Sequence, residues 1–76
     1  MTSLDRLLPG QRGRVVGLAE DSPVTRRLME LGLVPGRSIV FLRDAPLHDP
    51  LEVQIGSFCL SLRRAEASLV AVEPED

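Results

Sequence analysis

Residues 51–62 alternate apolar and polar side chains twice over, and this alternation constrains the fold more than any other feature of the chain. Leu51, Val53 and Ile55 are separated by Glu52 and Gln54, and Phe58, Leu60 and Leu62 by Cys59 and Ser61. A period of two is the period of a β-strand. Gly56-Ser57 between the two runs suits a two-residue type II′ turn, whose first position needs a positive φ. Such a turn fixes the register, with Ile55 opposite Phe58, Val53 opposite Leu60 and Leu51 opposite Leu62. All six apolar side chains then share one face, and a slip of one residue would turn one strand's set into water.

The rest of the chain is read around that hairpin. Pro9-Gly10 marks a turn, and Arg14 to Leu18 follows as a strand carrying Val15, Val16 and Leu18. Of Leu4, Leu7 and Leu8 before the turn, at least one is expected to plug one end of a barrel. Ser22 is placed to cap a helix whose first position is Pro23, with Glu20 and Asp21 at the positive end of its dipole. Val24, Leu28 and Leu31 form its apolar stripe at i, i+4, i+7, and Gly32 is the expected left-handed stop. Pro35-Gly36 then launches a strand over Ser38 to Arg43. Asp44 to Pro50 reads as a loop, Arg63 to Ala67 as one helical turn, Leu69 to Val72 as a closing strand and residues 73–76 as a frayed acidic tail. The expected fold is mainly β: a small five-stranded SH3-like barrel with one short α-helix between strands 1 and 2, residues 1–76 forming a single domain. Closure of the barrel would leave no exposed strand edge.

Composition narrows the function. Of the 76 residues 43% are hydrophobic, which suits a folded core, and the net charge of −2 speaks against a general nucleic-acid binder. Cys59 is the only cysteine, so no internal disulfide forms, and a reducing cytoplasm is the expected compartment. Met1 to Asp5 lacks the basic and apolar segments of a signal peptide. Apolar runs such as Ile39–Leu42 reach four residues, far short of a membrane span. A membrane role would therefore run through a partner.

The chain offers little for catalysis. His48 is the only histidine, and one His with one Cys falls short of the four ligands of a structural zinc site. Cys59 has no sequence neighbour that would activate it and reads as a half-buried thiol. Gly10-Gln11-Arg12-Gly13 is not a phosphate loop, because no Lys-Ser/Thr pair follows it. With Phe41 and Phe58 as the only aromatics, both assigned to the core, neither an aromatic groove for proline-rich peptides nor a base-stacking platform is expected. No catalytic, cofactor or metal residue is assigned.

Two surface features remain. The loop Ala45-Pro46-Leu47-His48-Asp49-Pro50 is stiffened by prolines, and Leu47 either projects from it or folds back onto the barrel. The other feature is the arginine pairs, Arg26-Arg27 and Arg63-Arg64, suited to carboxylate or phosphate contacts or else to pairing within the chain, Arg27 with Glu30 for example. Arg26, Arg27, Leu47, His48 and Arg63 are the candidate partner-binding residues.

Four segments, taken together, resemble the ferrous iron transport protein A (FeoA-like) family: Ser3 to Leu18, Arg26-Arg27-Leu28-Met29-Glu30-Leu31-Gly32-Leu33-Val34-Pro35-Gly36, Ala45 to Leu51, and Leu60 to Ala67. The resemblance covers nearly the whole chain, in order. It implies an SH3-like domain in the cytoplasm that assists bacterial ferrous iron uptake by contacting FeoB, a membrane permease with a G-domain, and that has no enzymatic activity of its own. The same module is similar to the C-terminal domain of iron-dependent repressors, so a free-standing metal-responsive regulatory domain is the alternative. Residues 10–18 also resemble the ribosomal KOW motif, a second alternative that the acidic balance disfavours.

Overall fold

The computed structural model describes residues 1–75 of the chain. Its elements are β1 (Thr2–Ser3), a 3₁₀ turn (Leu4–Arg6), β2 (Arg12–Leu18), α1 (Pro23–Glu30), β3 (Ser38–Asp44), a short turn (Pro46–His48), β4 (Leu51–Ile55), β5 (Phe58–Leu62), α2 (Arg64–Ala67) and β6 (Val70–Glu75). The strands form one antiparallel sheet in the order β1-β6-β2-β3-β4-β5. The sheet therefore has six strands where five are expected, because Thr2 and Ser3 pair with Val72 and Ala71. The main helix lies between β2 and β3 for the same reason. No pairing joins β1 to β5 among the described residues, so the expected closure without edges does not hold.

The β4–β5 hairpin has the register that its alternation dictates: Ile55 faces Phe58, Val53 faces Leu60 and Leu51 faces Leu62. Gly56 takes φ +59 at the first turn position. The burial is uneven, however. Leu51, Val53, Ile55 and Leu62 are buried, Leu60 is half-buried and Phe58 is 46% exposed. Phe58 was expected in the core, but it sits at the hairpin tip on an edge strand and has packing on one flank only. Cys59, expected half-buried, is exposed: the alternation puts it on the outer face of the same edge strand.

Two β-bulges correct the reading of the other strands. In β2 the register with β6 shifts between Val15 and Gly17, so Val16 bulges outward and is exposed while Val15 is buried. The β3–β4 register shifts in the same way between Phe41 and Arg43. A bulge moves one residue off the strict alternation and bends the strand, as strong sheet curvature requires. Glu73 to Glu75 are not frayed but paired with β2, and Arg14 meets Glu75 at 3.2 Å. Pro74 is accepted there because β1 pairs only with Ala71 and Val72, which leaves that stretch of β6 as an edge. Asp76, the rest of the expected tail, lies outside the described residues.

Helix α1 starts with a capping box: Ser22 Oγ accepts from the Thr25 amide at 3.2 Å, and the Ser22 amide donates to Thr25 Oγ1 at 2.9 Å. At its other end the Leu33 amide donates to Leu28 O and the Gly32 amide to Met29 O, with Gly32 at φ +112. These bonds make a Schellman stop that turns Leu33 into the core. The buried side of the helix is not the expected Val24–Leu28–Leu31 stripe. It is Thr25 with Leu28, while Val24 is exposed and Leu31 half-buried. Thr25 can be buried because its hydroxyl donates to Ser22 O at 3.0 Å. The core joins Leu28 and Leu33 to Phe41, Ile39, Val70, Val72 and the hairpin leucines, with Leu4 and Leu7 closing one end and Leu8 exposed.

Candidate functional site

The loop between β3 and β4 is built as a rigid projection. The Ala45 amide donates to Pro50 O at 2.9 Å and the His48 amide to Ala45 O at 2.8 Å. Between them Leu47 and His48 take φ +69 and +66, the left-handed region that costs an L-residue about 1–2 kcal/mol. Leu47 is 94% exposed, so of the two sequence readings the projecting one holds.

Arg64, at the start of α2, holds this loop in place. Its Nε donates to His48 O at 2.7 Å, Nη1 to Asp5 O at 2.5 Å and Nη2 to Asp44 Oδ2 at 3.2 Å. Its amide donates to Asp49 Oδ1 at 3.0 Å, so a loop carboxylate caps α2. One guanidinium thus ties the end of β3, the loop and the N-terminal 3₁₀ turn together, using the planar donor set that lysine lacks. His48 Nδ1 lies 2.8 Å from Asp44 Oδ2; an ionised carboxylate only accepts, so Nδ1 carries the proton. That hydrogen bond, with the charges of His48 and Arg64 adding, holds the Asp44 carboxyl below its ordinary value of 3.8 against some desolvation.

The other candidate residues fall on either side of α2. Arg27 pairs with Glu66 on α2 rather than with Glu30. Glu66 also accepts from the Arg63 amide at 2.9 Å, so Arg27 and Arg63 meet the same carboxylate, one by side chain and one by backbone. The Arg63 side chain is exposed and has no acidic partner among the described residues. Arg26 stands apart, paired with Asp21 at 3.0 Å. Hydrogen bonds to α2 therefore reach Arg27, the Arg63 amide and the His48 carbonyl; Leu47 is joined to them only as the neighbour of His48 in the loop, and Arg26 is left out. Sequence reasoning treated Arg63-Arg64 as one feature, whereas the fold sends one guanidinium to solvent and the other inward. The available signal for that split was Asp49 as a helix cap, and it is visible only once Arg64 is known to start a helix.

Among the described residues no group of three or more His, Cys, Asp or Glu side chains is placed to hold a metal ion. No described helix is long and apolar enough to cross a membrane.

The family pattern described as the FeoA domain matches residues 2–74. A fusion of Fe(2+) transport protein A with the Fe(2+) transporter FeoB, from Porphyromonas gingivalis, is 33% identical over 70 residues. That stretch is 92% of this chain and only 8% of the fusion protein. The solution structure of FeoA from Chlorobium tepidum is 42% identical with a TM-score of 0.88, covering 96% of this chain and 70% of that one. The crystal structure of Stenotrophomonas maltophilia FeoA complexed with zinc, described as a prokaryotic SH3 domain protein, is 30% identical with a TM-score of 0.86, covering 96% and 91%.

Proposed function

Because the chain belongs to the FeoA domain family, we propose that it is a small cytoplasmic accessory protein of ferrous iron uptake that docks on the membrane permease FeoB and catalyses no reaction itself. The fusion of the two proteins in one Porphyromonas gingivalis chain supports association between the modules. The observation that carries the choice of surface is Leu47. A leucine at once 94% exposed and held at φ +69 is unfavourable twice over for an isolated fold. Burial in a partner would recover the first of these costs, and the Arg64 clamp keeps the second from relaxing.

In this reading Leu47 is the apolar anchor and His48 lies beside it. Arg27 and Arg63 supply charge from the α2 side, and Arg26 forms the rim. An anchor of this kind, central and surrounded by polar groups, is the usual form of an interface hot spot. Leu47→Asn tests it, because asparagine tolerates the left-handed conformation better than leucine. The variant keeps its melting temperature and loses capture of detergent-solubilised FeoB. Undiminished capture would remove Leu47 from the interface.

A further inference from the structure

The β5 strand lies at one edge of the sheet; the opposite edge, β1, is two residues long. The hairpin turn determines which backbone groups of β5 are free. In a two-residue hairpin the flanking pair, Ile55 and Phe58, exchange both hydrogen bonds, and bonded pairs then recur at every second position. Phe58, Leu60 and Leu62 therefore bond to β4, while the N–H and C=O groups of Cys59 and Ser61 point away from the sheet. Both residues are exposed, and neither backbone has another partner among the described residues. From Ser57 to Leu62 there is no charge, no proline and no bulge, the three devices that commonly blunt an edge. Phe58 adds an exposed aromatic face at the end of this track.

Charge indicates what fits there. Five of the nine arginines pair with an Asp or Glu among the described residues: Arg14, Arg26, Arg27, Arg43 and Arg64. Two of the remaining four bracket β5. Arg63 follows it directly, and the Arg37 guanidinium covers the turn before it, 2.8 Å from where a Cβ on Gly56 would lie. A second copy of the chain is a poor occupant. The two-fold antiparallel register that pairs Cys59 with Ser61 would set Arg63 opposite Ser57 of the other copy, beside its Arg37, so like charges would meet at both ends.

We propose that the β5 edge accepts an extended segment of a partner polypeptide, about seven residues long, as an added antiparallel strand, with apolar side chains over Phe58, Leu60 and Leu62 and a carboxylate at each end for Arg37 and Arg63. This surface shares Arg63 with the proposed docking face but does not include Leu47, and its test uses peptides alone, without the permease. The probe is a seven-residue peptide of alternating valine and threonine with a glutamate at each end, compared with the same peptide carrying lysines. Both are titrated into isotope-labelled protein and followed by amide NMR and hydrogen exchange.

The glutamate peptide slows exchange at the Cys59 and Ser61 amides and binds about tenfold more tightly than the lysine peptide, since two surface ion pairs change sign. Ser61→Pro abolishes binding and stays folded, because its N–H takes no part in the β4 ladder. Should that variant fail to fold, Arg37→Glu combined with Arg63→Glu reverses the preference between the peptides. Unchanged exchange at Cys59 and Ser61 with millimolar glutamate peptide, or equal affinity for the two peptides, overturns the proposal. Protection of these amides that rises with protein concentration alone would assign the edge to a second copy and overturn it as well.

Discussion

Arg64 joins parts of the chain that are far apart in sequence through a single side chain. It satisfies two backbone carbonyls and a carboxylate from three segments distant in sequence. Arg64→Ala leaves those acceptors short of donors at a partly buried site and is expected to cost about 2 kcal/mol. Arg64→Lys recovers only part of this, because an ammonium is a point donor that cannot span the three. Chemical denaturation of both variants checks the order. Asp44 adds a pH dependence. Its carboxyl titrates below 3.8 in the folded state because His48 donates to it. The stability this provides is complete above the unfolded value and is lost as the pH falls through the folded one. In His48→Ala the Asp44 carboxyl, followed by carbon NMR, titrates closer to 3.8; an unmoved titration would mean that the hydrogen bond does not form in solution.

At the scale of elements, the hairpin gives the sharpest contrast. Leu62 is 1% exposed and Leu60 is half-buried, although both belong to the same alternation. Leu62→Ala should cost about 2–5 kcal/mol and Leu60→Ala clearly less. Equal losses would mean that β5 is not an edge. For α1, Ser22→Ala removes half of the capping box and should cost about 1 kcal/mol, read from the melting temperature. The same elements mark the limits of what the sequence discloses. Register, turn and helix caps are local, with every determinant within a few residues, so the hairpin, Ser22 and Gly32 were all legible. Val16, Phe58 and the buried face of α1 were not. A bulge, an edge position and a threonine that satisfies its own hydroxyl depend on what lies across the fold, and period alone assigns Val16 and Phe58 inward and Thr25 outward. The candidate site divides the same way. Leu47 was visible as an apolar residue between prolines, but its projection and the Arg64 clamp rest on contacts spanning up to 59 positions.

As a whole molecule, the chain is a curved six-stranded sheet with a leucine-tipped loop at one side and an unblunted strand edge at another. It belongs to the FeoA domain family, and ferrous iron transport is the role proposed for it on that ground. Under the proposed docking through the Leu47 loop, burial in the partner would offset the exposure of a leucine held at positive φ. The most direct test is calorimetric titration of this protein into purified FeoB, with Leu47→Asn measured beside the wild type. Saturable binding that weakens about tenfold or more in the variant, at an unchanged melting temperature, is the predicted result. The same affinity for both proteins, or no heat of binding from the wild type, would contradict it.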